Sequence, residues 1–251
     1  MSRSSNKRAI VIGASSGIGA AVAVQLSREG YAVALIARRA EQLQGVLEAC
    51  HEASGEQEAV MHVHDVTDFD AVPTLFAKIV DQLGGLDCVV YAAAVMPRVT
   101  PDEYNFTKDR AILDVGLLGA VAWLNEAAAH MAAAGDGVIC GISSIAGDRG
   151  RRPSPVYCTS KAALDTYLEA LRNRLAPKGV GVVTIKPGYV DTAMTAGMEG
   201  LFWVITPEKA AVSIVRAIRR RRRQVYVPAR WGLVGFVIRH IPSFIFKRLD
   251  F

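Results

Sequence analysis

The sequence predicts an α/β fold in which about seven parallel strands form one doubly wound sheet with helices on both of its faces. Short apolar runs rich in β-branched residues recur along the chain, and such runs are typical of strands buried on both faces. Segments with apolar residues at helical spacing lie between them, and a regular alternation of strand and helix produces a parallel sheet. The 251 residues contain no Pro/Gly/Ser-rich linker, so a single domain is expected.

Each predicted element follows from one of these two patterns. The strands are expected at residues 9–12, 32–36, 60–63, 88–91, 137–141, 181–185 and 224–227. The helices are expected at residues 17–28, 41–53, 69–82, 107–134 and 157–175. Ligands of doubly wound sheets bind beyond the carboxyl ends of the strands. The functional residues are therefore expected in the loops that follow the strands.

The composition excludes several classes of protein. Apolar residues make up 51% of the chain and charged residues 21%, which is typical of a globular protein with a sizeable core. The four cysteines, at positions 50, 88, 140 and 158, form no CxxC pair and have no histidine at metal-ligand spacing, so no metal site is expected. The polar N-terminus precedes an apolar run much too short for a secretory signal. We therefore expect a cytoplasmic protein with reduced thiols.

The positive charge is concentrated in one part of the chain. The formal net charge is +5, and residues 219–223 are five consecutive arginines. No aromatic residues are interleaved with this run, which argues against nucleic-acid binding. Two interpretations stay open: a solvated helix end, where cations oppose the helix dipole, and a contact with anionic lipid.

A glycine-rich turn follows the first predicted strand and opens the first predicted helix. Glycines let the backbone turn tightly and approach a pyrophosphate, while the helix N-terminus offers free N–H groups. Such a turn alone is a weak signal, but its position between strand and helix strengthens it. The residues predicted to bind a dinucleotide here are Gly13, Ser15, Ser16, Gly17, Ile18 and Gly19.

The loop after the second predicted strand indicates which dinucleotide binds. Enzymes that use NAD usually place an Asp or Glu about 20 residues after the glycines, whereas this chain has Arg38 and Arg39. Guanidinium groups form bidentate bonds with phosphate oxygens, so the 2′-phosphate of NADP(H) is favoured; a pair of solvated arginines is the alternative. After the third strand, Asp65 and Val66 are positioned to contact the adenine, although Asp65 alone equally predicts a helix cap.

A serine, a tyrosine and a lysine complete the candidate site. Tyr157 and Lys161 are four residues apart in a helical pattern and share one face. Ser144 follows a predicted strand, thirteen residues before the tyrosine. Together with the glycine turn, this set resembles the short-chain dehydrogenase/reductase family, of the kind that includes ketoacyl reductases and hydroxysteroid dehydrogenases. The resemblance spans residues 9–227 and rests on segments 13–19, 65–66 and 187–192, Ser144, Tyr157 and Lys161.

The resemblance implies a Rossmann-like fold and hydride transfer between NADP(H) and a carbonyl or alcohol. Tyr157 is then the general acid in reduction and the base in oxidation. A free phenol has a pKa of about 10, and the positive charge of Lys161 is expected to favour the phenolate. Ser144 is expected to bind the substrate oxygen. The further cofactor contacts that the resemblance implies are Tyr157, Lys161, Ala92, Pro187, Gly188, Val190 and Thr192.

The sequence departs from the family pattern in two places. The usual Asn-Asn-Ala-Gly is replaced by Tyr-Ala-Ala-Ala at residues 91–94, and the helix asparagine of the proton relay is replaced by Gly116. A backbone carbonyl, a second water or Asp114 is expected to substitute for that asparagine, so Gly116→Asn is predicted to raise the turnover number or leave it unchanged. The alternative function is a non-catalytic NADP-binding regulator or scaffold with the same fold.

Residues 228–251 are predicted to be a C-terminal extension of the domain whose nucleotide-binding and catalytic part is residues 1–227. The extension is rich in large apolar and basic residues, but it is too short and too interrupted to span a membrane. Three interpretations are open: a flap over the substrate pocket or a dimer seam, an amphipathic helix at a membrane surface, and a helix that covers the core. The second implies a cytoplasmic protein peripheral to the membrane.

The substrate and the assembly are the least specified predictions. Apolar residues within 192–206 predict either a lid over a hydrophobic acyl, lipid or steroid-like substrate, or a simple cover of the core. The family resemblance implies a homodimer or homotetramer formed through helices near residues 115–131 and 157–175.

Overall fold

A computed structural model describes residues 7–54, 58–100 and 102–249. All seven strands lie in one parallel sheet of order β3-β2-β1-β4-β5-β6-β7. The strands are β1 Lys7–Ile12, β2 Tyr31–Ala37, β3 Ala59–Val63, β4 Cys88–Tyr91, β5 Val138–Ile142, β6 Gly181–Pro187 and β7 Gln224–Val227. The predicted doubly wound, single-domain fold is confirmed. Residues 1–6 of the predicted catalytic domain and 250–251 of the predicted extension lie outside the described residues.

The helices cover both faces of the sheet. The five predicted helices begin and end within a few residues of the expected bounds, and three further α-helices among the described residues, all after residue 206, have no predicted bounds. The α-helices are α1 Gly17–Arg28, α2 Ala40–Ser54, α3 Val72–Leu83, α4 Phe106–Leu113, α5 Gly119–Ala134, α6 Pro155–Leu175, α7 Pro207–Arg219, α8 Trp231–His240 and α9 Ser243–Phe246. Short 3-10 helices span Ile145–Asp148 and Ala176–Lys178. Helix α7 ends at the first of the five arginines, which agrees with the helix-end interpretation of that run.

The helix predicted over residues 107–134 is interrupted by a π-helical turn, Asp114–Leu118, between α4 and α5. Within this turn the Gly119 N–H donates to the carbonyl of Asp114. The carbonyl of Val115 is therefore free to accept a hydrogen bond from the Tyr91 hydroxyl, at 2.6 Å. The sequence pattern did not reveal this interruption because its cause lies on another element, β4.

Two hydrophobic clusters hold the layers together, one on each face of the sheet. Successive strand residues point to opposite faces, so Val11 packs beneath α1 and α7, whereas Ile10 and Ile12 pack beneath α3, α5 and α6. The combined span Phe106–Ala134 is the one helix, among the described residues, that is long and apolar enough to cross a membrane. Its residues Trp123 and Met131 are fully buried in the second cluster, so this span is a core helix.

Candidate active site

The glycine turn connects β1 to α1 at the carboxyl edge of the sheet. Gly13 has a φ of +87°, and a Cβ built on it would lie 2.5 Å from the backbone nitrogen of Ala93. The predicted contact residue Ala92 donates from its N–H to the carbonyl of Ile12 at 2.8 Å. Any side chain at position 13 would therefore collide with the end of β4. Glycine is required here by both conformation and space.

The same turn brings two separately predicted segments together. Gly17 has a φ of +57°, and a Cβ on it would lie 3.1 Å from the Cγ2 of Thr192. Gly19 packs directly on the carbonyl of Gly13. The side chain of Ser16, the N-cap residue of α1, makes no capping hydrogen bond to the helix. The first turn of α1 thus keeps backbone N–H groups for an anionic ligand, and the cradle fits a pyrophosphate.

The two arginines after β2 lie beside this turn. Arg39 donates to the hydroxyl of Ser15 at 2.9 Å and to that of Ser16 at 2.5 Å. Arg38 pairs with Asp65 at 3.2 Å, and both side chains are partly exposed. Arg39 therefore carries its positive charge to the first turn of α1, where a nucleotide phosphate would be held.

Asp65 stabilises its own loop rather than a helix. One carboxylate oxygen of Asp65 accepts hydrogen bonds from the N–H and the hydroxyl of Thr67, at 3.0 and 2.8 Å. Partial burial opposes ionisation, but these bonds and Arg38 hold the pKa of Asp65 below its ordinary value. Helix α3 begins only at Val72, so the alternative prediction that Asp65 caps it is wrong.

The predicted serine, tyrosine and lysine meet beyond the end of β5. Tyr157 and Lys161 lie on α6 and are 9% and 3% exposed. The Nζ of Lys161 lies 5.7 Å from the centre of the Tyr157 ring and donates to the carbonyl of Ile142 at 3.0 Å. Ser144 is hydrogen-bonded to Tyr157, and its Oγ also accepts from the N–H of Ala146 at 3.1 Å. The three side chains therefore form one cluster.

Burial determines the protonation of this cluster. It raises the pKa of Tyr157 above its ordinary value, while the Ser144 hydrogen bond and the charge of Arg151 lower it by less. It also lowers the pKa of Lys161 to about 8, against the opposing effect of Asp165. Burial therefore outweighs the groups that lower the pKa of Tyr157, and the net shift of this pKa is upward. The phenol is protonated at neutral pH and holds a proton to donate.

A buried ionic network lies directly behind the cluster, and it was not predicted from the sequence. The ammonium of Lys186, on β6, lies 2.5 Å from Asp148 and 2.8 Å from Asp165. The Tyr226 hydroxyl donates to the other oxygen of Asp148 at 2.8 Å. Burial lowers the pKa of Lys186, but its two carboxylate partners more than reverse this and hold that pKa above its ordinary value. The one available signal was a lysine in an otherwise apolar strand.

An aromatic cluster joins the segment after β6 to the start of α8. Tyr189 and Phe202 pack against Trp231 with ring centroids 5.3 and 5.0 Å apart. Trp203 lies 5.7 Å from the same ring. Gly188 of the predicted cofactor segment has no room for a side chain, because Trp231 lies against it. Val190 pairs with Ile205, so the two ends of the apolar segment 190–205 are held together beside the start of α8.

Comparison with known proteins identifies the family. Residues 7–199 match the family model described as short chain dehydrogenase. An uncharacterized oxidoreductase from Myxococcus xanthus is 36% identical over 196 residues, which cover 78% of this chain and 77% of the relative. Another, from Mycobacterium tuberculosis, is 31% identical over 242 residues, or 96% of each chain. This chain belongs to the short-chain dehydrogenase family.

Solved structures agree with that assignment. A short-chain type dehydrogenase/reductase from Mycobacterium marinum has a TM-score of 0.79 at 27% identity, covering 88% of this chain and 94% of that one. A short chain dehydrogenase from Mycobacterium paratuberculosis bound to NAD has a TM-score of 0.80 at 23% identity, covering 89% of this chain and 97% of that one. The second likeness concerns the fold alone. The chain is an oxidoreductase with the nucleotide-binding fold of short-chain dehydrogenases.

In this short-chain dehydrogenase, both departures from the family pattern have structural counterparts. Tyr91 replaces the missing side-chain amides by bonding the carbonyl of Val115, so one hydroxyl ties the end of β4 to the π-helical turn. At Gly116, a Cβ would lie 2.6 Å from the Oγ of Ser160, a buried atom that has no hydrogen-bond partner. Position 116 therefore borders α6 directly. Asp114, one of the groups expected to substitute for the asparagine, pairs with Arg110 at 3.2 Å.

Proposed function

We propose that the protein is an NADP(H)-dependent reductase of a hydrophobic carbonyl compound, with the corresponding alcohol as substrate in the reverse direction. The observation that carries this proposal is the cluster of Ser144, Tyr157 and Lys161 at the same sheet edge as the glycine turn. Cofactor cradle and proton donor thus lie at one edge of the sheet, as hydride transfer to a carbonyl requires. The CH-OH/C=O reaction class, the cofactor and the substrate class are parts of this proposal.

Tyr157 supplies the proton in the proposed reduction. The nicotinamide supplies the hydride. As negative charge develops on the carbonyl oxygen, the Tyr157 hydroxyl donates its proton to it, and the Ser144 hydroxyl donates a second hydrogen bond that stabilises the charge. Lys161, protonated below its pKa of about 8, offers N–H groups to the nicotinamide ribose and stabilises the phenolate left on Tyr157.

The preference for NADP(H) rests on the arginines. Arg39 bonds the hydroxyls of Ser15 and Ser16. From this position its guanidinium can bind a 2′-phosphate that lies beside the first turn of α1. Arg38 is partly neutralised by Asp65 and contributes less. The remaining proposed contacts are the backbone of Gly13, Gly17, Ile18 and Gly19, the adenine-side residues Asp65 and Val66, and Ala92, Pro187, Gly188, Val190 and Thr192 on the nicotinamide side.

The hydrophobic character of the substrate rests on the lid. Phe202, Trp203, Val204 and Met198 each leave between 42% and 49% of their surface exposed. A segment that only covered the core would bury these side chains. Their exposed surface, beside the aromatic cluster around Trp231, suits an acyl, lipid or steroid-like ketone.

The test compares Tyr157→Phe with Tyr167→Phe, a tyrosine on the same helix whose hydroxyl bonds Asn125 at 2.9 Å. Affinities for NADPH and NADH are measured by fluorescence titration, and turnover by NADPH absorbance on a panel of long-chain and cyclic ketones. We expect Tyr157→Phe to lose about 10²–10⁴-fold in turnover at unchanged NADPH affinity, and Tyr167→Phe to lose neither. Turnover that survives in Tyr157→Phe would refute the assigned role of this tyrosine.

A second candidate function is a non-catalytic NADP-binding regulator or scaffold, which Gly116 favours because no side chain replaces the relay asparagine. It predicts tight NADPH binding and no turnover on any carbonyl tested. The intact cluster around Tyr157 supports the reductase instead. We also propose that the protein forms a homodimer or homotetramer through α5 and α6. A cytoplasmic location completes the proposal, and the four buried free cysteines support it.

A further inference from the structure

Helix α8 is apolar on both of its sides, and only one side is covered. Trp231 and Gly235 are buried against the domain. On the opposite side, Leu233 is 71% exposed, Phe236 55% and Val237 50%. These three residues share one face at helical spacing. A helix that is apolar all round normally lies wholly inside protein or lipid. The outer face of α8 is therefore expected to bind a partner.

The domain holds this helix firmly in place. Arg149, in the loop that follows the Ser144 segment, donates to the carbonyls of Ile238 and Ile241 and to the hydroxyl of Ser243. Its guanidinium also lies 3.9 Å from the centre of the Phe246 ring. The end of α8 and the start of α9 are thus fixed to the body of the protein. The outer face of α8 therefore stays at the surface of the domain, because these contacts hold the helix in one orientation.

Helix α9 and the residues just after it also expose large apolar side chains. Phe244 is 64% exposed, Ile245 43% and Leu249 37%. Exposed contiguous apolar surface on a soluble domain marks an interaction site. Helices α8 and α9 together are much shorter than the roughly 20 residues that a membrane span needs. They suit a partner that accepts a shallow apolar face.

The charge around this surface selects the partner. Residues 228–251 contain four basic side chains, Arg230, Arg239, Lys247 and Arg248, against one acidic residue, Asp250; all four basic side chains are exposed. A second copy docked by a two-fold axis would place two such basic segments against each other, since a two-fold interface uses the same patch on both subunits. An anionic lipid surface accepts both the apolar side chains and the positive charge.

We propose that α8 and α9 dock the protein on the surface of a membrane that contains anionic lipid. Leu233, Phe236 and Phe244 enter the headgroup boundary, and Lys247 and Arg248 bind lipid phosphates. Binding is peripheral and reversible. It does not depend on the proposed reaction, because the docking residues are not those proposed for catalysis, and vesicle binding is measured without turnover.

The experiment is co-sedimentation of the full chain with vesicles of phosphatidylcholine alone or of phosphatidylcholine and phosphatidylglycerol in equal parts. We expect binding to the anionic vesicles only, weakening as salt is raised. The double variant Leu233→Ser/Phe236→Ser is expected to bind about tenfold or more weakly, since both apolar side chains leave water when they enter the headgroup boundary. Its matched control is Tyr104→Ser/Phe106→Ser, which removes two aromatic side chains that are 96% and 77% exposed.

A second pair of variants tests the charge. Lys247→Gln/Arg248→Gln is expected to weaken vesicle binding by about tenfold or more. Its control is Arg220→Gln/Arg222→Gln in the five-arginine run, which lies at the opposite end of the sheet, before β7. Wild-type protein that stays in the supernatant, or equal losses in a variant pair and its control, would overturn the proposal. A dimer that is dissolved by Leu233→Ser/Phe236→Ser in sedimentation velocity, without vesicle binding, would assign the face to a second copy instead.

Discussion

The proposed nucleotide side of this molecule and its proposed substrate side are built in different ways. On the nucleotide side, the glycine turn lies within seven consecutive residues, and the paired arginines lie just after the adjacent strand, β2. On the substrate side, Lys186 reaches Asp148 and Asp165, and Arg149 holds the start of α9, more than ninety residues further along the chain. A local motif therefore specifies the first region, whereas long-range contacts specify the second.

The two sides also differ in how they use charge. The ion pair Arg38–Asp65 of the nucleotide side is partly exposed, at 55% and 40%. The Lys186–Asp148 pair is 5% and 1% exposed. Exposed ion pairs contribute little to stability. Breaking a buried pair is costly, because the charge that remains is neither paired nor solvated by water. The substrate side therefore depends more strongly on its internal partners.

The largest expected effect follows from removing the buried cation. Lys186→Met leaves Asp148 and Asp165 buried without their shared partner, so the free energy of unfolding should fall by about 3–5 kcal/mol. Urea denaturation measures this. The matched control, Arg38→Met, removes the cation of the exposed Arg38–Asp65 pair and should cost less than about 1 kcal/mol. Similar losses in the two variants would mean that the Lys186 network is hydrated and that the contrast between the two sides is wrong.

The same contrast explains how much of the structure was predictable. The strand cores, the glycine turn and the position of Tyr157 beside Lys161 follow from periodicity and spacing, and the structure has them as predicted. The π-helical turn does not, because it depends on the Tyr91 hydroxyl reaching across to Val115. The Lys186 network likewise joins residues that are 38 positions apart. No local pattern encodes such a partner.

A smaller effect tests the nucleotide side. Arg39→Gln removes the guanidinium that bonds Ser15 and Ser16, and a charged hydrogen bond contributes about 1.5–3 kcal/mol. NADPH affinity should fall roughly 10- to 100-fold, while NADH affinity should be unchanged. Arg28→Gln, at the exposed far end of α1, is the control and should alter neither. Equal losses for both nucleotides would mean that Arg39 does not read the 2′-phosphate.

The smallest effect is expected at Gly116, in the π-helical turn that borders α6. An asparagine there must displace the Ser160 Oγ, and overpacking a buried site costs about 1–3 kcal/mol. That oxygen has no hydrogen-bond partner to lose, so Ser160 can rotate or be replaced. Gly116→Asn/Ser160→Ala should therefore leave turnover unchanged or raise it, in a steady-state assay on whichever ketone the wild type reduces.

The control for this variant is Gly119→Ala, three residues along the same helix. A Cβ at position 119 would lie 2.5 Å from the Tyr91 hydroxyl and 3.0 Å from the backbone oxygen of Val66, and the backbone cannot rotate away as Ser160 can. Gly119→Ala should therefore be the less stable protein in urea denaturation. A loss of about tenfold or more in the turnover of Gly116→Asn/Ser160→Ala corresponds to about 1.4 kcal/mol in the barrier. Such a loss would mean that turnover requires glycine at position 116, and that the position does not simply lack a side chain.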